Sequence, residues 1–169
     1  NRGAIAMERS ALSRDPDFAN AWGIMGYAFG NIGEADSALA AFDKALRRPE
    51  RLNEYSRSNY SAAVAELRGD LQGAVATLDQ YLRQDSSKQW THNNQGVYLQ
   101  RLGRREEALA SFRRSAEVSP FGPTQVQLSN QFIVLLELGR LAEAREVARQ
   151  MKGGLAEIAP GQIAVAAGD

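Results

Sequence analysis

Ten side chains in this sequence have the types and spacing to recognise another polypeptide: Asn20, Tyr27, Asn59, Tyr60, Trp90, Asn93, Asn94, Val97, Arg101 and Asn130. Most keep fixed distances from four glycines, Gly33, Gly69, Gly103 and Gly139. Thirteen residues before each glycine stand Asn20, Ser56, Trp90 and Val126, and ten before stand Gly23, Asn59, Asn93 and Ser129. Nine before come Ile24, Tyr60, Asn94 and Asn130, and six before come Tyr27, Ala63, Val97 and Ile133. An asparagine amide both donates to and accepts from a peptide backbone. Tyrosine and tryptophan supply apolar area with a polar handle. Asparagine is a poor helix former, so its recurrence at matching helical positions asks for a reason. The plainer alternative is a solvated polar helix face.

Other candidates for chemistry read as structural. His92 is the single histidine and there is no cysteine, so a metal site would rest on carboxylates; His92 reads as a packing residue and no cofactor is expected. Gly23, Gly26 and Gly30 give a small-residue spacing suited to close helix approach. They do not form a phosphate loop, because no strand precedes them and no Gly-Lys-Ser/Thr follows. Arg101, Arg104, Arg105, Arg113 and Arg114 are interleaved with Glu106, Glu107 and Glu117. That pattern suits a salt-bridged, solvated face, with contact to an acidic partner as the alternative. With no nucleophile elbow, carboxylate pair or metal-spaced cluster, no enzymatic activity is expected.

The elements that must position these residues are short amphipathic helices. Apolar periodicity and stop signals predict helices over 1–14, 18–32, 36–48, 53–67, 71–84, 90–102, 106–118, 125–138 and 142–152. A further helix is expected over 155–167, where Pro160-Gly161 would either kink it or delay its start. The turn glycines are 36, 34 and 36 residues apart. Five residues after each comes Ala38, Ala74, Ala108 or Ala144, and nine after comes Phe42, Leu78, Phe112 or Ala148. Seven before comes Gly26, Ala62, Gly96 or Phe132. Small residues thus recur where helices must approach closely, and large ones where a gap must be filled. Helices this short are marginal alone and must bury their apolar stripes on neighbours, so the chain is expected to be a stack of copies.

Bulk properties exclude several roles. The formal net charge is zero, which argues against general attraction to nucleic acid or anionic membrane. No apolar run approaches the roughly 20 residues of a membrane span. The lack of cysteine excludes disulfides and leaves the compartment open, with the cytoplasm favoured. The chain starts at Asn1 without a methionine and reads as a piece of a longer protein.

The repeated pattern resembles the tetratricopeptide repeat, about 34 residues with W-x2-L-G-x2-Y, then A-x3-F, then P. Trp22, Met25, Gly26, Phe29, Ala38, Phe42 and Ala45 carry the likeness, as do Gly96, Leu99, Ala108, Phe112 and Pro120. His92 stands where tryptophan is usual, Ser58 and Ser61 replace large residues, and Phe132 replaces a common glycine, which would splay its helix pair. The resemblance implies an all-α, right-handed superhelical solenoid of antiparallel helix pairs. It also implies one domain: a second helix over 1–16, repeats over 17–50, 51–86, 87–120 and 121–154, and the first helix of another repeat over 155–169. In such a fold the first helix of each repeat lines the concave side, which would gather the ten residues into a groove for a peptide or partner protein. The family's chaperone-tail clamp is not kept, since Gly23, Tyr27, Trp90 and Asn94 stand at clamp positions. A weaker resemblance is to the repeat tails of bacterial serine/threonine kinases and winged-helix regulators. It rests on Pro49–Leu52, Gly69–Leu82 and Asn93–Arg104, and implies a regulatory or sensor segment as the alternative role. The 155–169 helix is expected to pack back on the 125–152 pair or to dock on another chain, a second copy among them.

Overall fold

The computed structural model describes residues 2–168. Among these it contains ten α-helices, one 3-10 turn and no strand. The chain divides into two compact units between Tyr81 and Leu82. The first holds α1 (Arg2–Arg14), α2 (Ala19–Gly30), α3 (Ala35–Leu46), the 3-10 turn Pro49–Arg51, α4 (Glu54–Leu67) and nearly all of α5 (Leu71–Leu82). The second holds α6 (Gln89–Arg101), α7 (Arg105–Glu117), α8 (Gln125–Glu137), α9 (Leu141–Ala148) and α10 (Gly154–Ala167). The terminal residues of the expected end helices, Asn1 and Asp169, lie outside the described residues.

The four turn glycines set the helix hairpins. Gly33, Gly69, Gly103 and Gly139 have φ of 81°, 84°, 76° and 68°, the left-handed region that glycine enters without steric cost. The amide after each glycine returns to the carbonyl of Phe29, Ala65, Leu99 or Leu135, at 3.0, 2.8, 2.9 and 2.9 Å. Each glycine amide bonds one turn back as well, so all four helices end in the same Schellman closure. The alanines five residues on, Ala38, Ala74, Ala108 and Ala144, are all 0% exposed, as the register requires.

Close packing follows from the small–large alternation. A Cβ added at Gly26 would lie 2.7 Å from the Phe42 ring, and one at Gly96 would lie 2.5 Å from the Phe112 ring. Each phenylalanine therefore occupies the space its glycine vacates, binding α2 to α3 and α6 to α7. In the α8–α9 hairpin the sizes are exchanged. Phe132 takes the glycine position and is fully enclosed, while Ala148 takes the phenylalanine position and ends α9 four residues earlier than expected. In the α4–α5 hairpin the Tyr55 and Tyr81 rings meet edge-on at 6.1 Å.

Helix α10 removes one of the two alternatives for Pro160, a start delayed beyond it. The helix starts at Gly154, after Gly153 at φ 64°, and continues through Pro160 to Ala167. The expected packing on the preceding pair is present, since α10 rests on α9 and α8 through buried Ala159 and Ile163. Gly168, at φ 86°, ends it in the left-handed conformation of the other turn glycines.

Candidate protein-binding faces

Four of the ten sequence-derived candidates fall in the first unit. Asn20 and Tyr27 are half-buried on α2, and Asn59 and Tyr60 are buried on α4. The Tyr60 hydroxyl donates to Asn20 Oδ1 at 3.3 Å. Its ring lies over Gly23, where a Cβ would come within 2.1 Å of it. The rings of Tyr27, Phe42 and Tyr60 form one cluster, with centroid separations of 5.0, 5.9 and 5.7 Å. Burial pushes the Tyr60 phenol above its ordinary pKa, so it stays a neutral donor. Asn59 is 3% exposed and its amide donates back to the Tyr55 carbonyl at 2.9 Å.

The other six fall in the second unit. Trp90 is 39% exposed, Asn94, Val97 and Asn130 are half-buried, and Arg101 is exposed. Asn93 is 6% exposed, and its Oδ1 accepts from Asn130 Nδ2 at 3.0 Å, which ties α6 to α8. Of Tyr27, Asn59, Trp90, Asn93, Asn94 and Asn130, expected to share one concave surface with partly exposed side chains, Asn59 and Asn93 are buried instead, and the further candidate Tyr60 is buried too. Their distance from the turn glycine fixes which face they occupy, but neighbouring rings and amides cover them. Asn20, Tyr27, Trp90, Asn94, Val97, Arg101 and Asn130 keep accessible surface.

A buried polar network that the sequence reading missed braces the second unit. Gln127 is 0% exposed. Its Nε2 donates to Ser115 Oγ at 2.7 Å and to the Ser115 carbonyl at 3.0 Å, and its Oε1 accepts from the Thr124 amide at 2.8 Å. Ser115 Oγ donates to the Gln89 carbonyl at 2.7 Å, and Ser111 Oγ donates to Gln95 Oε1 at 2.8 Å. One signal was available: Gln95 and Gln131 stand eight residues before Gly103 and Gly139. His92 is buried, and Nε2 lies 3.0 Å from the Ser86 carbonyl, which can only accept, so Nε2 carries the proton. Burial holds the His92 pKa below the ordinary value.

The arginine cluster is engaged by carboxylates. Arg104 pairs with Glu107, Arg105 with Glu137, Arg113 with Glu143 and Arg114 with Glu117, while Arg140 bridges Glu106 and Glu143. Such exposed pairs contribute little stability each. Among the described residues, no group of three or more His, Cys, Asp or Glu side chains could hold a metal ion. No described helix is long and apolar enough to cross a membrane.

A tetratricopeptide repeat model matches residues 25–88, and a second model of the same repeat matches residues 89–114 and 133–150. The chain belongs to the tetratricopeptide repeat family, whose fold generally mediates protein–protein interaction and whose members generally act as non-enzymatic scaffolds. It is 29% identical over 136 residues to the cytochrome c-type biogenesis protein CycH of Rhizobium meliloti (strain 1021), over 78% of this chain. The matched region spans only 35% of that protein's length. Among solved structures, TTC0263, a thermophilic repeat protein of Thermus thermophilus, aligns with a TM-score of 0.72 at 20% identity, over 96% of this chain and 88% of its own. Pseudomonas aeruginosa pilF aligns with a TM-score of 0.63 at 18% identity, over 98% of this chain and 82% of its own. At these identities the structural likenesses establish the fold.

Proposed function

We propose that the chain is a binding module and not an enzyme, and that the first helices of its repeats receive a segment of a partner protein. The repeat partition 17–50, 51–86, 87–120 and 121–154 belongs to the same proposal. The observation that carries it is on α6 and α8. Trp90, Asn94, Val97 and Asn130 keep accessible surface there, while the Asn93–Asn130 bond holds the amide array in place. Preset amides beside an accessible indole suit a polypeptide better than a nucleic acid, for which a zero net charge supplies no general attraction. A photo-crosslinking residue placed at Asn94 or Val97 is expected to capture the same protein from an extract, and one at exposed Ala110 on α7 is not. Equal capture from Ala110 would remove the first-helix face from the proposal.

The likeness to a cytochrome c-type biogenesis protein favours a second, narrower reading, in which the partner belongs to the machinery that makes c-type cytochromes. It also favours that role over regulation of an attached kinase or transcription regulator. Removing this region in its source organism should then lower covalently haem-stained c-type cytochromes, and unchanged staining would set the reading aside. Pairing of two copies through α10 is a competing use of that helix, which leaves Ile158 and Val165 exposed.

A further inference from the structure

Between α8 and α10 lies an open cleft of about 730 Å³ lined by aliphatic side chains and two carboxylates. Ile133, Leu136 and Glu137 come from α8, and Glu157, Ile158 and Val165 come from α10. Ile133 is 43% exposed, Ile158 51% and Val165 77%. Three large aliphatic side chains left accessible side by side offer apolar area that a partner's side chains can bury. The cleft volume is in the range that holds a few side chains.

The electrostatics select the occupant. The lining carries two carboxylates and no cation. Glu137 already accepts from Gln100 at 2.8 Å and from Arg105 at 3.0 Å. Glu157 is exposed and makes no ion pair with any described residue. Two-fold pairing of cleft on cleft would bring the unpaired Glu157 of each copy into the same apolar contact, and like charges brought together are penalised. Ile133 keeps the six-residue distance from its turn glycine that Tyr27 and Val97 keep from theirs, so the cleft continues the first-helix face.

We propose that the α8–α10 cleft binds a partner-protein segment that places aliphatic side chains against Ile133, Ile158 and Val165 and a lysine or arginine against Glu157. This rests on the first-helix reading above and extends it, naming an apolar, basic segment as the ligand class. The amides of α6 and α8 then orient the backbone, and the cleft supplies most of the apolar burial.

The test uses the full 169-residue chain and three fluorescein-labelled peptides, read by fluorescence anisotropy. The first is amphipathic with leucines at every third or fourth position and lysines between them. The second has glutamates in place of the lysines, and the third has serines in place of the leucines. The leucine–lysine peptide should bind at least tenfold more tightly than either control. Ile133→Asp should weaken it at least tenfold, and Glu157→Lys should reverse the preference towards the leucine–glutamate peptide. Glu157 is exposed, so that variant keeps the test valid if Ile133→Asp disturbs the fold. No binding, or binding indifferent to both variants and to peptide charge, overturns the proposal. If Trp90→Ala with Asn94→Ala abolishes binding while the two cleft variants leave it intact, the first-helix reading stands and the cleft assignment falls. A concentration-dependent dimer in light scattering that Ile133→Asp abolishes assigns the cleft to a second copy and also overturns the proposal.

Discussion

At residue scale, the positions that decide the packing are pairs. Gly96 has no room for a methyl group under Phe112, so Gly96→Ala should overpack the α6–α7 crossing and cost about 1–3 kcal/mol in urea unfolding. Adding Phe112→Leu should recover part of that loss, because the smaller side chain reopens the space; two additive losses would show that the residues do not share it. His92 supplies a pH dependence. Its folded pKa is depressed by burial, so the unfolded chain binds more protons below the ordinary histidine value of 6.5. Stability is therefore full above that value and falls as pH drops through the folded pKa. Glu107 and Glu143, held down by Arg104 and by Arg140, lose their contributions only below their ordinary 4.5. Stability measured from pH 7.5 to 5 should decline in the parent and flatten in His92→Gln. A parallel decline in both would assign the effect to other groups. Sequence alone located Ala108 and Gly96 because size alternation recurs with the repeat. It misjudged the exposure of Asn59 and Asn93, because distance from a turn names a face without saying which neighbour covers it.

At the scale of elements, the turns hold the register. Gly103 occupies φ 76°, and an alanine there should cost about 1–2 kcal/mol through left-handed strain. Gly30 lies at the end of α2, and a Cβ there meets nothing within 4 Å. Gly30→Ala should be neutral or stabilising by up to about 1 kcal/mol, since alanine loses less backbone entropy in a helix. Thermal melts of the two variants separate a conformational requirement from a glycine that is merely tolerated; equal losses would deny the Schellman role of Gly103. The helices themselves were legible from their stops and stripes. The effect of Pro160 within α10 was not, because proline argues locally for a break while packing on α8 and α9 supports a helix across it. The Gln127 network was only partly visible: Thr124-x-x-Gln127 is a local capping pattern, but the bonds from Gln127 to Ser115 and from Ser115 to Gln89 join other helices and no local pattern announces them.

At the scale of the whole molecule, the chain belongs to a family whose fold generally mediates protein–protein interaction, and the proposed ligand is a polypeptide. Fold class was readable from the repeat because each copy states the same pattern again, so single departures such as His92 and Phe132 do not erase it. Exposure at the candidate positions was less readable, because it is set by what the stacked copies leave uncovered. The most direct measurement is amide hydrogen exchange of the chain alone and with the partner captured from Asn94 or Val97, resolved helix by helix. The account predicts added protection on α6, α8 and α10, with α7 and α9 unchanged. Protection confined to α7 and α9 would contradict it.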